Sequence, residues 1–187
     1  MSDEEIKIHR GLNNVYFDRT KTTYINGKEG VLEYRGYNIH DLSEKSSFEE
    51  VSYLLLYGKL PTKNELDAFS SSLKESREIP SQVIDIIRSI KDSHPMDVLR
   101  TAVSALSAFD EETSDKGYDA TLRKGIRLTS QVPTIVMAHN SIRNGKDPIE
   151  PSKELSHAAN FIYMLDGKIP SDSTSSLMDK DFIVHAD

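Results

Sequence analysis

The sequence predicts a mainly α, multi-helical fold with a small β-hairpin near the N-terminus. Two observations carry that prediction. Strand-forming residues gather around a turn signal between Thr22 and Arg35, and from about residue 40 apolar residues recur at helical spacing between short turns. A third supports it: several helical stretches open on residues that cap or start helices and stop at glycine.

Thr22-Thr23-Tyr24-Ile25 and Val31-Leu32-Glu33-Tyr34-Arg35 flank Asn26-Gly27-Lys28-Glu29-Gly30. Asn-Gly readily takes positive φ, so the spacing predicts a hairpin over about 22–35, with Gly36 breaking the second strand. A lone hairpin is marginal in water and is expected to pack on helices. Helices are expected from about residue 47 onward. Ser47-Phe48-Glu49-Glu50 has capping-box spacing and opens a helix along Val51, Leu54 and Leu55 to a stop at Gly58. Pro61-Thr62 opens a second, with Glu65 completing another capping box and Leu66, Phe69 and Leu73 at helical spacing. Ile79-Pro80-Ser81 opens a third, along Val83, Ile86, Ile87 and Ile90.

Pro95 suits the first position of a fourth helix, where its missing N–H costs nothing; this helix runs to about Phe109. Met96, Leu99, Val103 and Leu106 form its stripe. Ala102, Ser104, Ala105, Ser107 and Ala108 admit close neighbours, so burial on more than one side is expected. After the acidic loop Asp110 to Asp115, a long helix from about Tyr118 to Arg143 contains Pro133, which is expected to bend it. Asn144-Gly145 ends it. A loop through Asp147-Pro148 and Glu150-Pro151 leads to a helix at Lys153 to Leu165, stopped by Gly167, and a last helix begins after Pro170. The apolar run Phe182-Ile183-Val184 is followed by no Gly or Asn stop, so the sequence is expected to end inside an element.

Composition narrows the function. Apolar residues make up 37% and charged residues 28%, the balance of a globular chain with a core. Apolar runs such as Leu54-Leu55-Leu56 fall far short of the ~20 residues that span a bilayer. The start, Met1-Ser2-Asp3-Glu4-Glu5, is acidic where a secretion signal is basic, so a cytoplasmic location is expected. Cysteine is absent, which removes thiolate nucleophiles and Cys-based zinc sites. A net charge of −7 with scattered basic residues argues against a nucleic-acid partner.

No catalytic, substrate-binding or metal residue stands out from the pattern. His9, His40, His94, His139, His157 and His185 show no i, i+4 ligand spacing. His185-Ala186-Asp187 reads as a helix residue and its neighbours rather than a ligand pair. His94 before Pro95 is placed to cap a helix, and His139 and His157 fall within helices as bonded or exposed side chains. The carboxylate pairs Glu49-Glu50 and Glu111-Glu112 read as solvated. There is no G-x-S-x-G, P-loop or G-x-G-x-x-G pattern.

Several stretches in order resemble the citrate synthase family, which includes the 2-methylcitrate synthases. They are Arg10 to Val15; Ile25 to Ile39 with its Tyr34-Arg35-Gly36-Tyr37; Ser47 to Val51 and Leu56 to Pro61; His94-Pro95-Met96 with Leu99 to Ser104; and Glu154 to Gly167. The match looks most like the shorter archaeal and Gram-positive type. Phe182 to Asp187 is similar to a stretch that the family continues with a substrate-binding His, and the family's Leu-His-Gly-Gly and Gly-His-Arg motifs do not occur here.

The resemblance implies that residues 1–187 are the N-terminal part of the family's large domain, with the small domain and catalytic half absent. It implies an acyltransferase that condenses acetyl-CoA with oxaloacetate to citrate and CoA in the tricarboxylic acid cycle, represented by a truncated, inactive half. In the complete enzyme an Asp takes the methyl proton of acetyl-CoA while a His holds the enol, and no cofactor beyond the acyl-CoA substrate is needed. A homodimer through helices about 95–109 and 118–143, or a missing C-terminal half, is the implied partner. The alternatives are a 2-methylcitrate synthase fragment and a non-catalytic helical module for dimerisation or regulation.

Overall fold

The computed structural model describes residues 10–12, 15, 16 and 18–187. His9, the first five residues, and Asn13 and Asn14 of the first family-like stretch lie outside them.

The hairpin forms and gains a strand. β1 (Thr23–Asn26), β2 (Val31–Tyr34) and β3 (Tyr37–Asn38) make an antiparallel sheet in the order β1-β2-β3, with Asn26 opposite Val31 and Tyr34 opposite Tyr37. The turn chemistry differs from the Asn-Gly expectation. Asn26 ends β1 and its Oδ1 accepts from the Lys28 N–H at 3.2 Å, while positive φ falls at Gly30, at 68°. Gly36 does not end the sheet. Arg35 (φ 51°) and Gly36 (φ 85°) are both left-handed, the geometry of a two-residue hairpin turn, and they fold the chain back as β3.

Helices begin earlier than about 47. α1 (Ile39–Lys45) follows β3 directly, because the Asn38 side chain accepts from the His40 N–H at 2.9 Å and caps it. α2 (Phe48–Tyr57) and α3 (Lys63–Glu75) carry both expected capping boxes, at Ser47 with Glu50 and at Thr62 with Glu65. Then come α4 (Ser81–Ser89), α5 (Pro95–Leu106) with a 3-10 turn to Phe109, and α6 (Tyr118–Arg143), one helix that continues past Pro133. α7 (His157–Asp166) starts later than the predicted Lys153. The Ser152 hydroxyl accepts from the Glu154 and Leu155 N–H groups and holds a turn there, and Ser156 caps the helix instead. α8 (Asp172–Val184) is closed by His185, so the last residues are not inside an element as expected.

Three apolar clusters hold these elements together. Val83 and Ile87 of α4, Val98, Ala102 and Leu106 of α5, and Ile135, Ala138 and Ile142 of α6 form one. Tyr34 of β2, Ile39 and Leu42 of α1, Val51 and Leu54 of α2, and Ile183 of α8 form another. Tyr53, Phe69, Leu73 and Ile126 join α2, α3 and α6 in a third. α5 buries one face only. Ser104, Ser107 and Ala108 are exposed, because α4 and α6 cover the Val98–Ala102–Leu106 stripe and leave the other side open.

Candidate functional site

A buried polar junction lies where α2, the end of α3, the loop before α7, and α7 itself meet. Helical spacing puts Glu49 on the same face of α2 as the buried Ser52 and Tyr53, and its carboxylate accepts from the backbone N–H of His157 at 2.8 Å. A negative charge at the first residue of α7 satisfies a free N–H and complements the helix dipole. Arg77, just past α3, is 1% exposed. It donates Nη1 to the Ser152 carbonyl and accepts from the Thr134 hydroxyl of α6 at its own carbonyl, 2.8 Å away. Asn160 accepts from the Ser152 N–H at 2.7 Å, which ties the loop to α7.

Aromatic rings close one side of the junction. His157 lies 4.8 Å from the Phe48 ring and 5.7 Å from Phe182, and Phe182 packs on Phe161. Burial pushes the His157 imidazole down to about 4, and the Arg77 cation adds to the effect. The ring is therefore neutral at physiological pH. Burial also lowers Arg77, against the opposing pull of Glu49. Beside it on α8, Asp179 accepts from the Phe48 N–H at 3.2 Å and is raised to about 6, first by burial and then by the charges of Glu49 and Glu50.

A concavity of about 500 Å³ opens between α5 and α6 and is lined by Pro80, Leu106, Phe109, Arg127, Leu128 and Gln131 among others. Its basic groups are occupied. Arg127 grips both oxygens of Asp110 and reaches Glu112 at 2.9 Å; Lys124 donates to the Asp115 carbonyl. Arg123 and Arg127 hold Glu112 down at about 2.

The structure separates the histidines. His94 caps α5, its Nδ1 accepting from the Met96 N–H at 3.2 Å; His139 bonds the Lys91 carbonyl at 3.0 Å from within α6. His185 is exposed and bonds the Asp181 carbonyl at 2.8 Å, and the Asp187 carboxylate accepts from the hydroxyls of Thr22 and Thr23 on the hairpin. His40 is exposed on the first turn of α1. Among the described residues no three His, Asp or Glu side chains gather as a metal site. The reading of Glu49-Glu50 and Glu111-Glu112 as solvated pairs holds for the exposed Glu111 and needs correction for the other three. Glu49 is buried, Glu50 completes a capping box, and Glu112 is held in arginine ion pairs. Arg77 and Asp179 were not singled out in the sequence. Asp179 stands four residues before the buried Ile183, a spacing that places it on the inner face of α8; nothing in the sequence around Arg77 marks it.

A family model described as "Citrate synthase, C-terminal domain" matches residues 11–187. The citrate synthase of Haloferax volcanii is 41% identical across 97% of this chain, and the 2-methylcitrate synthase of Mycobacterium tuberculosis is 36% identical across 99%. The chain covers 49% and 47% of those two proteins, so it spans about half the length of the curated relatives it matches. The crystal structure of citrate synthase from Pyrobaculum aerophilum superposes with a TM-score of 0.92 at 38% identity, over 96% of this chain and 47% of that one.

Proposed function

Since this chain belongs to the citrate synthase family, we propose that it supplies the N-terminal helical half of an acyltransferase that condenses acetyl-CoA with oxaloacetate. The products are citrate and CoA, and the setting is the tricarboxylic acid cycle. The observation that carries the reading is the backbone match to the Pyrobaculum aerophilum enzyme, close over nearly all of this chain yet covering 47% of its counterpart.

Such a condensation needs a base to take a proton from the thioester methyl group and a donor to hold the developing enol oxygen. The buried imidazole here, His157, is packed among Phe48, Phe182 and Arg77, and its backbone N–H is bound by Glu49. Its part is to build the junction rather than to move a proton. In this reading the base and the enol donor come from a complementary half, and this chain provides the frame. The reading assigns no cofactor beyond the acyl-CoA substrate and a cytoplasmic location. Among the described residues no helix is long and apolar enough to cross a membrane.

The same reading assigns a homodimer through α5 with its 3-10 extension and through α6. Exposed apolar side chains on those elements support it: Met96, Phe109, Leu128 and Val136. A propionyl-CoA preference, giving 2-methylcitrate, is the second reading, supported by the 36% identity to the mycobacterial 2-methylcitrate synthase. The test is release of free CoA from acetyl-CoA or propionyl-CoA with oxaloacetate. The purified chain alone is expected to release none with either thioester. Citrate formation by the chain alone would show that the catalytic groups lie within it, and the half-enzyme reading would fall.

A further inference from the structure

We propose that the polar junction is a binding site for ordered water, held by the Nε and Nη2 edge of Arg77 and bridged to the Glu49 carboxylate and to His157 Nδ1. Arg77 spends Nη1 on the Ser152 carbonyl, but its Nε and Nη2 are buried and make no hydrogen bond within the protein, and neither does His157 Nδ1. These orphans are not scattered. Nε and Nη2 form one edge of the planar guanidinium, the fork that grips a partner with two parallel donors. Arg77 bonds Ser152, whose N–H bonds Asn160 in the first turn of α7, and Glu49 bonds the His157 N–H that opens the same helix, so the three groups share one neighbourhood.

The chemistry of the junction selects among occupants. A buried donor without a partner is costly, so the fork calls for an acceptor. Glu49 Oε1 accepts from the His157 backbone N–H at 2.8 Å, and no Arg77 nitrogen bonds the carboxylate directly. A small anion would set a second negative charge beside Glu49 against a single buried cation, and desolvated charge is expensive. Water fits the valence. It accepts from Nε and Nη2 and donates to Glu49 and to Nδ1 of the neutral imidazole, with its proton on Nε2, within the two to four partners that buried water requires.

This inference concerns the junction alone and does not depend on the proposed reaction. The test is oxygen-17 relaxation dispersion on the full chain, together with a crystal structure fine enough to resolve water. The expected result is long-lived internal water and density within hydrogen-bond distance of Arg77 Nε and Nη2, with the dispersion amplitude reduced by one or two waters in Arg77→Met. Should that variant fail to fold, the unaltered chain still decides by its density and its Arg77 Nε–H to water cross-relaxation. Three results overturn the proposal: the fork seated directly on Glu49, no water at the fork, or stabilisation by chloride or phosphate that Arg77→Met abolishes. The last would identify an anion site instead.

Discussion

Replacing Asp179 with asparagine is expected to strengthen the fold at neutral pH. Both carboxylate oxygens of Asp179 lie near the Phe48 N–H, at 3.2 and 3.3 Å, so the group serves α2; yet it is partly buried and faces Glu49 and Glu50. Burial first and those charges second raise it from 3.8 to about 6. The folded chain therefore holds this proton more tightly than the unfolded chain. Between about pH 4 and 6 unfolding releases it, so the contribution of Asp179 to stability falls as the pH rises through that window and stays low above it. A shift of about two units corresponds to roughly 3 kcal/mol at about 1.4 kcal/mol per unit. Asp179 is only partly buried, so screening reduces the effect to about 1 kcal/mol. Asparagine keeps the acceptor for Phe48 and cannot ionise. The variant should gain about 1 kcal/mol at pH 7, or about 2–4 °C in Tm, and match the parent near pH 4. Thermal unfolding of both proteins across that range reads the difference. His157, held at about 4 against an ordinary 6.5, and Glu65 and Glu112, each held at about 2 against 4.5, pull the other way in this window but do so equally in both proteins, so the difference between parent and variant isolates Asp179. A parent–variant difference that does not grow between pH 4 and 6, or a variant weaker than the parent at pH 7, would refute the reasoning.

Gly58→Ala should destabilise by about 1–2 kcal/mol in urea unfolding, since φ is 80° there, while an added Cβ meets nothing closer than 4.0 Å, so strain and not crowding is the cause. Ile87→Ala, at a fully buried site between α4, α5 and α6, should cost about 2–5 kcal/mol by the same measurement. Ser47→Ala removes half of the capping box on α2 and should cost about 1 kcal/mol, recovered in large part by Ser47→Asp.

The parts of this fold that the sequence made legible are those specified locally. Ser47 with Glu50, Thr62 with Glu65, Pro95 at a first position and Gly58 and Gly167 as left-handed caps each act within one turn, and each appears where its spacing says. β3 and α1 were missed because Arg35 takes a left-handed φ that its residue type does not announce, and Asn38 serves at once as strand end and helix cap. The junction was missed for a different reason. Whether a carboxylate or guanidinium is solvated or buried depends on elements far along the chain: Glu49 meets His157 across 108 residues, and Arg77 meets Ser152 across 75. Only the face of Glu49, shared with Ser52 and Tyr53, hinted at its burial.

The hairpin's anchorage has a consequence for the order of assembly during synthesis. Tyr34 donates its hydroxyl to the Val184 carbonyl at 3.2 Å, across 150 residues, and shares its cluster with Ile183. The α4–α5–α6 cluster draws on residues 83 to 142 and can condense as soon as that stretch is outside the ribosome. The hairpin cannot. At about 5–20 residues per second, roughly 8–30 s pass between the emergence of Tyr34 and the arrival of the helix that covers it. Through that interval α1 and α2 can cover the strands only in part, and a chaperone that binds exposed apolar segments has a target where Ile183 will later sit.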